Sequence, residues 1–318
     1  MDESAHIDAG SGAGPDGTPD PNQVRWQLGE WEQLADGVYR LVAEPAAVNL
    51  GLVVGSEAAL VVDTGSSPAQ GAALRQAVAR VTDRPIGAVV VSHAHFDHSF
   101  GLAGFAGISS IGHESLHDLG DNAEARQQAE RLGFAADELV PPTHPIAIAD
   151  AVGLGGQRVV EITHLGEGHT QGDLVITVTD PASADFPGVI FAGDLIESAP
   201  AVDRPAPWFG MDSAIDQWSW TVDRLRGLGD ERTIFVPGHG DPVDQEFVHR
   251  QRDAIDAVRV EIARLYTEGV AEQEAAERGE WPFPVRNIAA GVAAGYAELR
   301  DATAQDPAAG DRRTLPLA

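Results

Sequence analysis

Three histidines and an aspartate fall within six positions, His93, His95, Asp97 and His98, just after the apolar run Ala-Val-Val-Val at 88–91. A hydrophobic core has no use for such a cluster, whereas imidazole and carboxylate delivered by the end of a buried strand are metal ligands. Residues two apart in an extended segment point to the same side, so His93 and His95 are expected to grip one ion as a pair. Asp97 and His98 follow where the backbone must turn, and adjacent residues in a turn diverge, which suggests a second ion. Imidazole and carboxylate suit borderline divalent ions such as zinc and suit hydrolysis; a structural staple would more often use cysteine, and the chain has none.

The same arrangement recurs along the chain. His169 sits in Gly-Glu-Gly-His-Thr-Gln-Gly-Asp, where glycines let the backbone approach a ligand closely. Asp194 ends the run Phe-Ala-Gly-Asp and reads as the bridging ligand, and His239 ends a run in Pro-Gly-His-Gly. Asp63, in Val-Val-Asp-Thr-Gly, reads either as a carboxylate that orients a neighbouring imidazole or as a turn cap. His113 and His117 have the i, i+4 spacing of a helical pair but no carboxylate partner in a recognisable motif, and packing or surface roles are expected for them.

Short β-type runs at 38–42, 47–54, 58–62, 86–92, 108–111, 174–178, 189–192 and 233–236 must position these groups, with helical spacing over 68–81 making a β-α-β step into the histidine cluster. The stretch 119–145 reads as polar and helical, a lid or outer layer. Residues 1–22 lack large apolar side chains and are expected to form a disordered tail; 23–245 form the catalytic domain, 246–303 a helical extension broken at Trp281-Pro-Phe-Pro, and 304–318 a flexible tail. The net charge is −28, and all 21 basic residues are arginine. Such a field opposes a nucleic-acid partner, and the absence of lysine excludes lysine chemistry. With no apolar signal region and no run near a membrane span, a cytoplasmic protein free of the membrane is expected.

Together, the motifs around Asp63, His93 to His98, His169, Asp194 and His239 resemble, in order and spacing, the five motifs of the metallo-β-lactamase superfamily, across roughly residues 36–245. The resemblance implies an α/β fold, a four-layer αββα sandwich with metals at one edge. It implies that His93, His95 and His169 hold one ion, that Asp97, His98 and His239 hold the other, that Asp194 bridges them and that Asp63 supports the shell from behind. The β-lactamases usually replace the bridging aspartate, so Asp194 looks more like the hydroxyacylglutathione hydrolases and related lactonase and thioesterase branches.

The implied chemistry is cleavage of a small-molecule acyl bond, in an ester, lactone, thioester or β-lactam-type amide, by hydroxide bridging two divalent ions, zinc before iron or manganese, with Asp97 steering the proton. The rival is a persulfide dioxygenase on the same scaffold, with one iron on His93, His169 and Asp194. The retention of His98 and His239 for a second ion favours the hydrolase. In the loop after Asp194, Arg204, Trp208, Phe209 and Met211 are candidates for an apolar substrate mouth with one anion contact; packing of Trp208 and Phe209 within the loop is the other reading.

Overall fold

The computed structural model describes residues 26–198 and 207–305. Short runs of Val, Leu and Ala, separated by turns, pair into a first sheet of eight strands: β1 (Gln27–Leu28), β2 (Glu32–Ala35), β3 (Val38–Glu44), β4 (Val48–Val54), β5 (Ala59–Val62), β6 (Ile86–Val90), β7 (Ser109–His113) and β8 (His144–Ile146). The order is β1-β3-β4-β5-β6-β7-β8, with β2 beside β3; β3, β4 and β5 form an antiparallel meander, and β5 to β8 run parallel. The crossover from β5 to β6 is helix α1 (Pro68–Val78), started by Ser67, whose hydroxyl accepts the Gln70 N–H at 3.1 Å, and by proline at the first helical position. It ends three residues before the expected 81, where Thr-Asp-Arg-Pro turns the chain back toward β6.

Helix α2 (Phe96–Ser99) lies between β6 and β7, and α3 (Ala123–Arg131) between β7 and β8. The polar stretch 119–145 therefore contains only nine residues of α-helix, because Gly133 and Pro141-Pro142 break it, and its end becomes β8. Ala129 and Leu132 pack with Phe100 as an outer layer. A second, five-stranded sheet follows: β9 (Ala149–Gly153), β10 (Val159–His164), β11 (Leu174–Thr179), β12 (Val189–Phe191) and β13 (Ile234–Val236), in the order β13-β12-β11-β10-β9 and antiparallel except for β12 with β13.

Strand alternation divides the apolar side chains between two faces. Leu60, Val62 and Val90 meet Ile162, Ile176 and Phe191 between the sheets, while Val61, Val89 and Val91 turn outward onto Leu74 and Val78 of α1. Gly51 permits close approach there, since a Cβ at that position would stand 2.5 Å from the Phe191 ring. On the far side, Val175, Ile190 and Phe235 are covered by α4 (Ile215–Arg226), α5 (Gln245–Thr267), α6 (Glu272–Arg278) and α7 (Val285–Gln305). Helix, sheet, sheet and helix form four layers, as expected.

The C-terminal helices share one core with the second sheet and also brace the loops at its edge. Glu298 of α7 accepts the otherwise orphaned N–H groups of Ile215 and Asp216 at the start of α4, at 2.8 and 3.0 Å. Gln251 of α5 clasps Glu197 through both backbone groups, at 2.6 and 3.0 Å. Among the described residues, no helix is long and apolar enough to cross a membrane.

Candidate metal centre

The groups singled out in the sequence meet at one edge of the two sheets. Strand β6 stops at Val90, so His93 and His95 sit in the loop before α2 rather than on a strand, and convergence comes from the loop instead of strand alternation. Asp97 and His98 lie in α2, His169 in the loop between β10 and β11, Asp194 in the turn after β12, and His239 after β13. They form two clusters, His93, His95, His169 and Asp194 in one and Asp97, His98 and His239 in the other, with the potential ligand atoms of each cluster within 4.8 Å of one another. His169 Nε2 is 2.8 Å from His95 Nδ1, and His239 Nε2 is 3.2 Å from Asp97 Oδ2. Asp194 stands between the clusters: Oδ2 is 3.4 Å from His169 Nε2 and 3.5 Å from His239 Nε2, and Oδ1 is 3.2 Å from His98 Nε2.

Three of the outward ring nitrogens, those of His98, His239 and His95, are engaged in ways that set the tautomers, while the outward Nδ1 of His169 has no hydrogen-bond partner. Asp63 Oδ2 lies 2.8 Å from His98 Nδ1, and the same carboxylate accepts the Ser92 N–H at 2.7 Å and the Ser92 hydroxyl at 2.9 Å. These contacts hold Asp63 at φ 60°, the left-handed region that a non-glycine residue rarely adopts. His239 Nδ1 donates to the Ala47 carbonyl at 3.3 Å, and His95 Nε2 donates to Asp212 at 3.0 Å. In each case the other nitrogen is left facing the centre, where it can bind an ion.

Three of the inward atoms make no hydrogen bond within the chain. His93 Nε2, His98 Nε2 and Asp194 Oδ1 are buried without a hydrogen-bond partner. Buried polar atoms rarely stay unpaired, and three on one point, all nitrogen or oxygen, fit divalent ions. Gly238 leaves room for this, since a Cβ there would stand 1.7 Å from Asp194 Oδ1.

The electrostatics divide the histidines. Burial and the neighbouring His98 push His93 well below its ordinary pKa, and burial takes His169 down to about 4. Burial acts against protonation of His98 and His239 too, yet the carboxylate of Asp194, aided by Asp63 and Asp97 at His98 and by Asp97 at His239, raises both well above the ordinary value. Despite burial, Asp97 and Asp194 are held below the usual carboxylate range by the same two imidazoles. Asp173 at the end of the His169 motif is pushed up by burial to about 7, and it braces the turn after His169 by accepting from Thr170 N and Oγ1.

A cavity of about 200 Å³ opens over the centre, lined by His95, Phe96, Asp97, His169, Asp194, Glu197, Trp208, His239 and Asn287. Trp208 lies in this lining and is 41% exposed. Phe209 corrects the expectation: it is 1% exposed and packs on Trp218 and Phe283, so it belongs to the core and not to the mouth. Arg204 lies outside the described residues. His113 stacks on His164, with ring centroids 4.5 Å apart, and His117 bonds the Glu114 carbonyl; neither joins the metal clusters.

Several supports left no mark in the sequence. Asp212 meets His95 from 117 positions away. Arg40 and Asn49, both buried, hold the carbonyl of Gly240 next to His239, at 3.0 and 2.7 Å. The Trp218 indole donates to Leu195, 3.1 Å away in the turn that carries Asp194.

The family model described as "Metallo-beta-lactamase superfamily" matches residues 43–239, well over half of the chain. The chain belongs to the metallo-beta-lactamase superfamily. It is 29% identical over 242 residues to the acyl-coenzyme A thioesterase MBLAC2 of Bos taurus, covering 66% of this chain and 81% of that one. It is 26% identical over 160 residues to the metallo-beta-lactamase IND-1 of Chryseobacterium indologenes, covering 49% and 56%. Among solved structures, a metallo-beta-lactamase from Pontibacter korlensis superposes with a TM-score of 0.54 at 20% identity, over 72% of this chain and 99% of that one, a likeness of fold.

Proposed function

We propose that this protein is a binuclear, zinc-type metallohydrolase that cleaves the acyl bond of a small-molecule thioester. The observation that carries the reading is the position of Asp194 between two histidine clusters, with orphaned ligand atoms on both sides of it. A single-iron oxygenase would use only the first cluster and leave Asp97, His98 and His239 without a task. His93, His95, His169 and Asp194 would hold one ion, and Asp97, His98 and His239 with Asp194 the other. When bound, such ions polarise a carbonyl oxygen and bring the pKa of water toward neutrality.

The chain's own groups supply the rest. Asp97 borders the cavity as an ionised carboxylate and would orient an attacking water by accepting a hydrogen bond from it. Phe96 and Trp208 give the cavity an apolar wall against which an acyl chain can lie. Lysine, tyrosine and cysteine are missing from the described lining, so a leaving group that departs unprotonated suits it best. A thiolate, conjugate to a thiol of pKa ≈ 8.5, is such a group. The MBLAC2 relatives, named as acyl-coenzyme A thioesterases, support this choice among acyl bonds.

The test is release of free thiol from a panel of acyl thioesters by zinc-loaded protein, run beside esters, lactones and a β-lactam, with oxygen followed by electrode. Zinc-dependent thiol release supports the reading. Oxygen consumption on a persulfide by an iron-loaded protein that leaves every acyl substrate intact would overturn it.

A further inference from the structure

One wall of the cavity comes from outside the segment that matches the family. Asn287, in the first turn of α7, lines the cavity although the family match ends at 239. The residue is 1% exposed, and its backbone is fully committed: its N–H donates to Pro284 and its carbonyl accepts from Phe209, both at 2.9 Å. The side-chain amide is oriented by Nδ2, which donates to the Pro207 carbonyl at 3.3 Å. That leaves Oδ1 as the remaining end, and Oδ1 is buried without a hydrogen-bond partner.

A buried acceptor with no donor carries a desolvation cost that nothing within the chain offsets. Outside the metal clusters, the other polar side chain in the described lining is Glu197, which also accepts, taking the Trp208 N–H at 2.8 Å. Asn287 Oδ1 is thus the acceptor at this wall that lacks a donor, and a ligand that satisfies it must bring one.

We propose that Asn287 is a specificity-determining residue whose Oδ1 accepts a hydrogen bond from an amide N–H or a hydroxyl carried by the substrate away from the cleaved carbonyl. The inference rests on the reading of this cavity as the acyl-substrate site, and it makes α7 part of substrate selection as well as of the core. A thioester built on an amide-bearing or hydroxyl-bearing thiol has such a donor; a simple alkyl thioester does not.

Binding, not turnover, tests this. The metal-loaded full chain is titrated calorimetrically with two pairs of uncleavable thioether analogues: a secondary amide against its N-methyl counterpart, and a hydroxyl against its O-methyl counterpart. The wild type is expected to prefer the donor-bearing member of at least one pair by about three- to tenfold, the scale of one net hydrogen bond. Which pair shows the preference says whether the donor is an amide or a hydroxyl. Asn287→Leu is expected to abolish the preference by weakening the donor-bearing member. Asn287→Asp loses the contact to Pro207 but keeps an oxygen, and is expected to retain it. Equal affinity of the wild type for both members of both pairs, a preference that survives Asn287→Leu, or no binding of any analogue would overturn the inference. Donor preference without hydrolysis of any thioester would count against the proposed reaction instead.

Discussion

Asp63→Asn separates the support of the second ion from that of the first. The Asp63 carboxylate makes three buried contacts, of which the one to His98 Nδ1 spans 2.8 Å. Asparagine is nearly isosteric, tolerates the left-handed backbone at φ 60° and can still accept the Ser92 N–H. Its amide NH₂, however, confronts His98 Nδ1–H with a second donor. The imidazole is then driven to the tautomer protonated at Nε2, the nitrogen that faces Asp194 and the second ion's place. Losing one buried hydrogen bond to a charged group costs about 1.5–3 kcal/mol, which corresponds to one to two decades in a binding constant. The expected outcome is therefore about a 10–100-fold weaker second ion, as for other groups that orient a metal-binding histidine, with the first ion unchanged. Competition titration against a chromogenic chelator resolves the two steps, and circular dichroism confirms the fold. Unchanged affinity for both ions, or equal weakening of both, would refute the reasoning.

In metal-free protein, His98 and His239 have raised pKa values, so the stability they give is complete below about 6.5 and is lost as pH rises through their folded values. His93 and His169, being depressed, add no slope above that pH. Since metal must displace the protons on His98 and His239, the Tm increase on zinc addition should be larger at pH 8 than at pH 6.5; a flat or inverted difference would count against these assignments. Gly238→Ala places a methyl 1.7 Å from Asp194 Oδ1 and should strip both ions, checked by elemental mass spectrometry on folded protein. Phe209→Ala should cost about 3–5 kcal/mol in denaturant unfolding, as for a core aromatic, whereas Trp208→Ala should leave stability unchanged and raise KM.

The candidate site was legible as a set of side chains because each follows or interrupts a β-type run beside glycine or a turn, and that local signature survives in one dimension. The strands were legible for the same reason, through runs such as 58–62 and 174–178 rich in β-formers, whereas their division into two sheets came from the family resemblance. The geometry of His93 and His95 was less so: where a strand stops depends on how far its neighbours can pair, and β6 stops at Val90. Asp212 and Asn287 were invisible, because a single polar residue in a loop or on a helix carries no periodicity and acquires its meaning only when distant segments meet. Phe209 and Trp208 look alike in the sequence, and only the packing against Trp218 and Phe283 separates them.

The central claim is that Asp194 serves two ions while His239 serves one. Counting metal by mass spectrometry in the purified, folded wild type, His239→Ala, Asp194→Ala and His113→Ala tests it most directly. The wild type and His113→Ala should hold close to two zinc-like ions, His239→Ala should fall toward one, and Asp194→Ala should lose both, having removed the carboxylate that faces both clusters. A wild type with a single iron, or an Asp194→Ala variant that keeps both ions while His113→Ala loses one, would contradict it.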